Sequence, residues 1–479
     1  MKPLSYILKD YVKNIENDIE IKDISCDPVK CKKDELLFLI NQKAINAYNS
    51  SPTIAAAIIT EKHIKQKRDI PIYTVSCIRE VAAMAFARFY CKDLSKLKFI
   101  GITGTNGKSS TAIILEKILC DFGYKVGMIG TGKIKFGANI ISNEFYSMTT
   151  PPPEILYPAI SRMQSMGAEI IVMEVSSHAL VQKRVAAIKF DIGMFTNLSK
   201  EHLDYHKNIN DYFLAKLKLF EQSKCIIVNG DDEYGKRIAQ KYKHAETCGQ
   251  KNEQNVMLSQ LQNHGFWGTK FNYKSDLEEI QIDLMLPGEY NLYNAMLAMR
   301  AAEKMNIPKK FIKKSIEQIE KIDGRFEVIN DKVMVVIDYA HTATAFSNLL
   351  KILNSNKIKG QKLISVFGCG GERDKEKRCL IGMASEKYSD ITIVTSDNPR
   401  GEDPCSIISD ITKNMSKEFT IVIDRRAAIK KAISLASDGD IVAIIGKGPE
   451  KYIISCGEYY PFDERQIVAE ALKERELCE

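Results

Sequence analysis

The sequence contains no apolar run approaching the roughly 20 residues needed to cross a bilayer. Its start, "MKPLSYILKDYVKNIENDIEIK", has neither the sustained apolar stretch nor the small-residue cleavage site of a secretory signal. A cytoplasmic location is therefore the expectation. Twelve cysteines are present but none forms a CxxC pair, which argues against a disulfide framework in a chain of this length. The nearest two, Cys26 and Cys31 in "CDPVKC", have no further ligands clustered beside them to hold a metal. An excess of one charge is also missing, because 68 basic against 61 acidic residues leave a net +7 spread over mixed runs such as "ERDKEKR". Aromatic residues do not interleave with the basic ones, so neither a nucleic-acid surface nor membrane insertion is expected.

What is present is alternation. At 479 residues the chain exceeds what one hydrophobic core organises. Residues 1–97 hold short β-like runs ("ELLFLI", "TIAAAIIT", "PIYTVS") and then a helix, "IREVAAMAFARFY", which together predict a small α/β domain. From 98 to 321, the runs "KFIGITG", "EIIVMEVSS", "FDIGMFTNL" and "KCIIVNGDD" are separated by helical patterns, as in a parallel sheet wound through right-handed crossovers. The alternation restarts over 322–479 with "VMVVIDYAH", "KLISVFGCGG", "DITIVTSDNPR", "FTIVIDR" and "DIVAIIGKG", predicting a second doubly wound, Rossmann-like unit. The fold class is α/β with three domains. In such sheets ligands bind beyond the carboxyl ends of the strands.

One such end reads "GITGTNGKSS", between the apolar "LKFI" and the helix-like "TAIILEKILCDFGY". Glycines allow the backbone N–H groups to turn inward around an anion, and the helix N-terminus adds favourable potential. Lys108 would reach the terminal phosphates and Ser109 would offer a hydroxyl to magnesium. The spacing departs from a strict Walker A motif, since Ile102 occupies the first glycine position and Gly101 lies one residue early. No arginine finger or GTPase base signature follows. Instead, Glu174 closes the run "IIVMEVSSHAL", and "FTNLSKEHLDYH" puts His202 and Asp204 within reach of the same edge. Ser109, Glu174 and His202 at three strand ends make a candidate metal and phosphate site.

These residues fall into a longer ordered set: "TTPPP", "MEVSSHAL" with "QKRV", "YFLAKLKLF", "GEYNLYNAMLA", "DGRFEV", "DYAHT", "GCGGERDKEKR", "DNPR" and "GKGPE". In that order they resemble the Mur ligases of peptidoglycan synthesis, from about Phe99 to the C-terminus. The resemblance implies a uridine-nucleotide-binding N-terminal domain, a P-loop-type ATP-binding central domain and an amino-acid-binding C-terminal domain. It implies that ATP phosphorylates the D-glutamate γ-carboxylate of UDP-N-acetylmuramoyl-L-alanyl-D-glutamate, and that an amine then attacks the acyl phosphate. A monomer is expected, with these small molecules as its partners.

Residue by residue, the resemblance implies a phosphate loop of Gly104, Thr105, Asn106, Gly107, Lys108, Ser109 and Ser110, with Asn291, Asn294, Arg325, Asp338 and His341 as further nucleotide contacts. Two Mg2+ sites would draw on Ser109, Glu174, His202 and Lys216. Lys216 matches the family lysine that carbon dioxide carbamylates; taken alone, it reads as a surface helix lysine. Thr149, Thr150, Ser176, Gln182 and Arg184 match the contacts to the sugar-peptide. The acceptor is read from Arg373, Asp397, Asn398, Arg400, Gly446 and Glu450. Two arginines suit a carboxylate, and meso-diaminopimelate has a distal carboxylate that lysine lacks. A folylpolyglutamate-synthetase-like ligase and a P-loop switch ATPase are the rival readings. The chain departs from the family pattern at Cys26 and Asp27, where a Ser-Arg pair is usual, at Ala343 after "HT", and at Pro449.

Overall fold

Buried strands that carry apolar residues on both faces form the centres of the two larger sheets, and in the larger of these antiparallel hairpins close the edges. The computed structural model describes residues 1–15, 17–50, 54–65, 69–142, 148–251 and 254–478. Near the N-terminus, Asp23–Ser25, Glu35–Phe38, Ala57–Thr60 and Ile72–Thr74 pair in parallel, in sequence order. The helix Ile78–Tyr90 covers them and packs its apolar face into a core continuous with that of the next sheet. Ser161 Oγ donates to the carbonyl of Tyr90 at 2.7 Å across this junction.

The second sheet has eleven strands. Its middle is parallel: Val126–Gly130, Ile170–Glu174, Lys98–Thr103, Phe190–Phe195, Ser223–Asn229, Glu246–Gly249 and Val256–Asn263 are neighbours in that order. The expected wholly parallel sheet is thus a mixed one, because antiparallel strands close both edges. Lys133–Phe136 and Asn139–Ser142 form one edge, and Thr269–Ser275 and Glu278–Leu284 the other. Glu278–Leu284 buries only its alternate inward residues, Ile282 and Leu284, and its outer face is polar, so it carries none of the continuous apolar signal of a central strand.

The third sheet places Met334–Asp338, Ile441–Ile445, Leu363–Phe367, Ile391–Val394 and Thr420–Ile421 side by side in parallel, with Glu327–Asn330 antiparallel at one edge. Apolar cores fill both faces. The run "FTIVIDR" contributes only Thr420 and Ile421 as strand, a short edge. Among the described residues, no helix is long and apolar enough to cross a membrane.

Candidate active site

Strand register fixes the site. Lys98–Thr103 lies between Ile170–Glu174 and Phe190–Phe195, with Ile102 opposite both Glu174 and Met194. Whatever follows these strands must therefore emerge on one edge. The loop after the first strand needs glycine at two places: Gly104 has φ +150° and a Cβ there would lie 1.9 Å from Thr196 Oγ1, while Gly107 has φ +85° and a Cβ would lie 2.3 Å from Asn294 Oδ1. Asn197 holds the loop reciprocally, accepting from Asn106 N at 3.0 Å and donating to Asn106 O at 3.1 Å. The helix Lys108–Asp121 starts with Gly107 as its cap and no side chain on its first N–H groups, which leaves them facing the cavity. Gly107→Ala is expected to raise the KM for ATP at least about tenfold and to lower Tm, since left-handed backbone at a non-glycine residue costs on the order of 1–3 kcal/mol. Steady-state kinetics and a thermal melt check this.

Around the loop, Ser109 Oγ donates to Glu174 Oε2 at 2.9 Å and accepts from Arg325 Nη2 at 3.0 Å. Thr131, absent from the sequence reading, fixes the same carboxylate through its N–H to Oε1 at 3.0 Å and its hydroxyl to Oε2 at 3.3 Å. Lys108 Nζ donates to the carbonyls of Gly104 and Thr105 at 3.1 and 2.8 Å, and burial pulls its pKa below the ordinary lysine value. Ser109 Oγ and Glu174 Oε2 fit magnesium: both are hard oxygen donors, and two adjacent ligands of an octahedral Mg2+ stand about 3 Å apart. Among the described residues, no three His, Cys, Asp or Glu side chains converge as a metal cage.

The second strand end supplies Glu201 and His202. Glu201 is buried and meets His341 from the third sheet, His341 Nε2 to Glu201 Oε1 being 3.2 Å. Burial opposes the charge of Glu201, but the His341 contact and nearby cations hold its carboxyl well below the usual range. Sequence reasoning passed over Glu201, although it stands inside the quoted "LSKEHLDYH". His202 has φ +57°, and burial lowers its pKa to about 3, keeping the imidazole neutral and its lone pair free for a cation. Lys216 corrects the reading of a surface lysine. Its side chain is fully buried beneath the loop, donating from Nζ to Gly104 O at 2.8 Å and lying 4.3 Å from the Tyr212 ring centroid. Burial, with Lys108 adding to it, drives its pKa well below the ordinary value.

The third sheet contributes the opposite wall. Asp397 and Asn398 follow Ile391–Val394, and Gly446 and Glu450 follow Ile441–Ile445. Glu450 accepts from Tyr339 OH at 3.1 Å and from Asn398 Nδ2 at 2.9 Å. Arg400, at φ +54°, donates from Nη1 to Gly371 O at 2.7 Å. Burial lowers its pKa, and the neighbouring Arg373 lowers it further. A cavity of about 330 Å³ collects most of the predicted residues of both walls, together with the unpredicted Thr131, Glu201, Tyr339 and Lys377; among the described residues, none before Thr105 lines it.

Seven predicted residues lie behind the wall instead of on it: Gly104, Thr150, Gln182, Lys216, Asn291, Asn294 and Asp338. Gly104 acts through its backbone carbonyl, and the side chains of the other six bond within the protein. Asp338 accepts from the N–H groups of Phe326 and Ala340 at 2.6 and 2.7 Å, and so ties "DGRF" to "DYAH". Asn294 donates to Asn291 Oδ1 at 3.1 Å one turn away on the helix Glu289–Lys304, and accepts from Thr111 Oγ1 at 3.3 Å. Thr150 Oγ1 donates to Glu174 O at 2.9 Å, and its own carbonyl accepts from Arg184. Gln182 Oε1 accepts from Arg184 Nη2 at 2.8 Å. Thr149, Ser176 and Arg184 do reach the cavity.

The family model of the Mur ligase middle domain matches residues 102–302, and that of the Mur ligase, glutamate ligase domain matches 324–448. The chain is 39% identical over 480 residues to the UDP-N-acetylmuramoyl-L-alanyl-D-glutamate--2,6-diaminopimelate ligase of Aquifex aeolicus, covering 98% of this chain and 95% of that protein. It is 37% identical over 472 residues to the protein of the same name from Clostridioides difficile, covering 95% and 96%. A solved structure of a ligase of that name matches with a TM-score of 0.66 at 26% identity over 95% of each chain. The folylpolyglutamate synthase of Mycobacterium tuberculosis shares the fold, with a TM-score of 0.64 at 17% identity over 78% of this chain and 92% of that one. The chain belongs to the Mur ligase family.

Proposed function

We propose that this chain is an ATP-dependent ligase that joins meso-diaminopimelate to the D-glutamate γ-carboxylate of UDP-N-acetylmuramoyl-L-alanyl-D-glutamate, a cytoplasmic step in peptidoglycan precursor synthesis. The observation that carries this reading is one cavity with the phosphate loop, Lys108 and the Ser109–Glu174 pair on one wall and Arg400 and Glu450 on the other. Residues 98–321 would bind ATP, 322–479 the amino acid, and 1–97 the uridine end of the sugar nucleotide.

Transfer of a phosphoryl group to a carboxylate forces two anions together, so positive charge must be in place beforehand. Lys108 and the loop N–H groups would bind the triphosphate from one wall, and Arg325, which already reaches Ser109, from the other. Magnesium at Ser109 and Glu174, and a second ion at His202 with a carbamate on Lys216, would supply further charge neutralisation when bound. Thr149, Ser176 and Arg184 would orient the peptide carboxylate. Arg400 and Arg373 would hold the distal carboxylate of diaminopimelate, with Glu450 receiving its distal ammonium, so that the other amine faces the acyl phosphate. The contacts Arg325–Ser109 and His341–Glu201 join the two walls, which would keep water from that intermediate.

Phosphate release with ATP, magnesium and the UDP-sugar dipeptide tests this, comparing meso-diaminopimelate, L-lysine and no amine. Phosphate and tripeptide are expected together, and only with meso-diaminopimelate. Lysine preference would overturn the acceptor assignment, and amine-independent turnover would favour a switch ATPase.

A further inference from the structure

Lys447 has no role in the reading above, yet it is the most enclosed cation in the acceptor wall, with a fully buried side chain. Its ammonium meets three oxygens: Asn398 Oδ1 at 2.9 Å, Glu450 Oε2 at 3.2 Å and Asp397 Oδ1 at 3.4 Å. A lysine has three N–H donors, so all of them are used. The partners come from two separate turns, "SDNPR" and "GKGPE", which also meet through Asn398 Nδ2 donating to Glu450 Oε2 at 2.9 Å and at Gly446, where a Cβ would lie 2.7 Å from Asp397 Oδ2.

We propose that Lys447 is a positioning residue for acceptor recognition, the internal counter-ion that ties Asp397 and Glu450 together and fixes them in place to receive the ammonium of the incoming amino acid. The proposal rests on the amide-ligase reading. Asp397 and Glu450 with Lys447 carry a net single negative charge, which one substrate ammonium neutralises. Without Lys447 the two carboxylates would face each other through Asn398 with only an outer cation to balance them. Like charges confined in this way take up a proton, and a protonated acid is a poor receptor for an ammonium.

The other groups around this pair do not replace Lys447. Arg425 is fully buried but gives Nε and Nη2 to Glu464, at 2.8 and 2.7 Å, and Nη2 also to Ile445 O. Arg400 gives Nη1 to Gly371 O, and its charge favours the ionised Asp397 less than those of Lys447 and Arg425 do. Tyr339 donates to the other oxygen of Glu450, and Lys447 Nζ lies 5.7 Å from the Tyr452 ring centroid. Burial opposes the charge of Asp397, and Lys447 first and Arg425 second hold its carboxyl below the usual range.

Lys447→Met and Lys447→Arg test this in the full-length enzyme, with KM for each of the three substrates measured from pH 6.5 to 9 beside the unmodified protein. For Lys447→Met, KM for meso-diaminopimelate is expected to rise at least about tenfold at pH 7 and to recover partly as pH rises and the shared proton leaves. KM for ATP and for the sugar nucleotide should change less than about twofold. Lys447→Arg, which keeps the charge, should recover most of the loss. An unchanged KM for diaminopimelate, or an equal, pH-independent loss for all three substrates in both variants, would overturn the proposal. If Lys447→Met fails to fold in a thermal melt, the pH profile of Lys447→Arg decides, since a fixed charge leaves KM flat with pH. Failure of the unmodified enzyme to use diaminopimelate would instead overturn the underlying reading.

Discussion

Lys216→Ala is expected to reduce tripeptide synthesis by roughly 10²–10³-fold, the scale of losing one preorganised charge from a closed site, while ATP still binds. An amine attacks carbon dioxide only as its free base, and an exposed lysine is almost wholly protonated at neutral pH. Burial beneath the phosphate loop, with Lys108 close by, holds Lys216 well below that ordinary value, so the free base is available in the folded protein. Carbamylation would then replace a potential cation with an anion, beside a neutral His202 and two strand ends bearing Ser109 and Glu174. Two independent results should follow. Unmodified enzyme in carbon-dioxide-depleted buffer should lose activity and regain it with bicarbonate, whereas Lys216→Ala should not respond. With 13C-labelled carbon dioxide, a carbamate resonance should appear and be missing from the variant. Full activity of Lys216→Ala, or no carbamate signal with activity indifferent to bicarbonate, would remove Lys216 from the chemistry.

Lys216 also marks the limit of what the sequence discloses. Nothing in "FLAKLKLF" separates a buried lysine from a solvated one, because its burial depends on Gly104 O, 112 residues away in the chain. The central strands were legible because both faces are buried, so "IIVME" and "FDIGMF" read as apolar runs broken only at Asp191 and at the closing Glu174. The edge hairpins were not, because half of each strand faces solvent. The phosphate loop was legible from its glycines, and the positive φ values at Gly104 and Gly107 give the physical reason for them. Thr131, Glu201 and Lys447 were missed for a common reason: each is an ordinary polar residue until tertiary packing aims it at a partner. Asp338, Asn291 and Asn294 were found as motif residues, but their side chains hold backbone and one another behind the cavity wall. At Ala343, where the family pattern has proline, Thr342 still caps the following helix by accepting from Ala345 N at 3.1 Å, so the departure leaves that helix start intact.

Arg400→Ala should lower kcat/KM for meso-diaminopimelate by roughly 10²–10³-fold, the cost of leaving one partner of an enclosed charge pair alone. KM for ATP should stay within about twofold. The geometry holds Arg400 unusually rigidly. Its N–H donates to Ile454 O at 3.0 Å and its carbonyl accepts from Cys456 N at 2.7 Å, fixing the left-handed backbone from both sides. Nη1 is anchored on Gly371, and the missing side chain at Gly370 gives it room, since a Cβ there would lie 2.8 Å away. The guanidinium is thus aimed before any ligand arrives, at the low entropic cost that preorganisation brings. Arg373 beside it destabilises the cation, a repulsion that a shared carboxylate would relieve. Meso-diaminopimelate brings that carboxylate and L-lysine does not, so the loss should fall on the former alone and the preference between them should collapse. Arg400→Lys should recover little, because an ammonium cannot reproduce the planar, two-pronged fit of a guanidinium. Rates with both amines, measured at equal ATP and sugar-nucleotide saturation and beside a thermal melt of each variant, decide it. An equal loss for lysine and diaminopimelate would mean that Arg400 supports the loop or the nucleotide and does not select the acceptor.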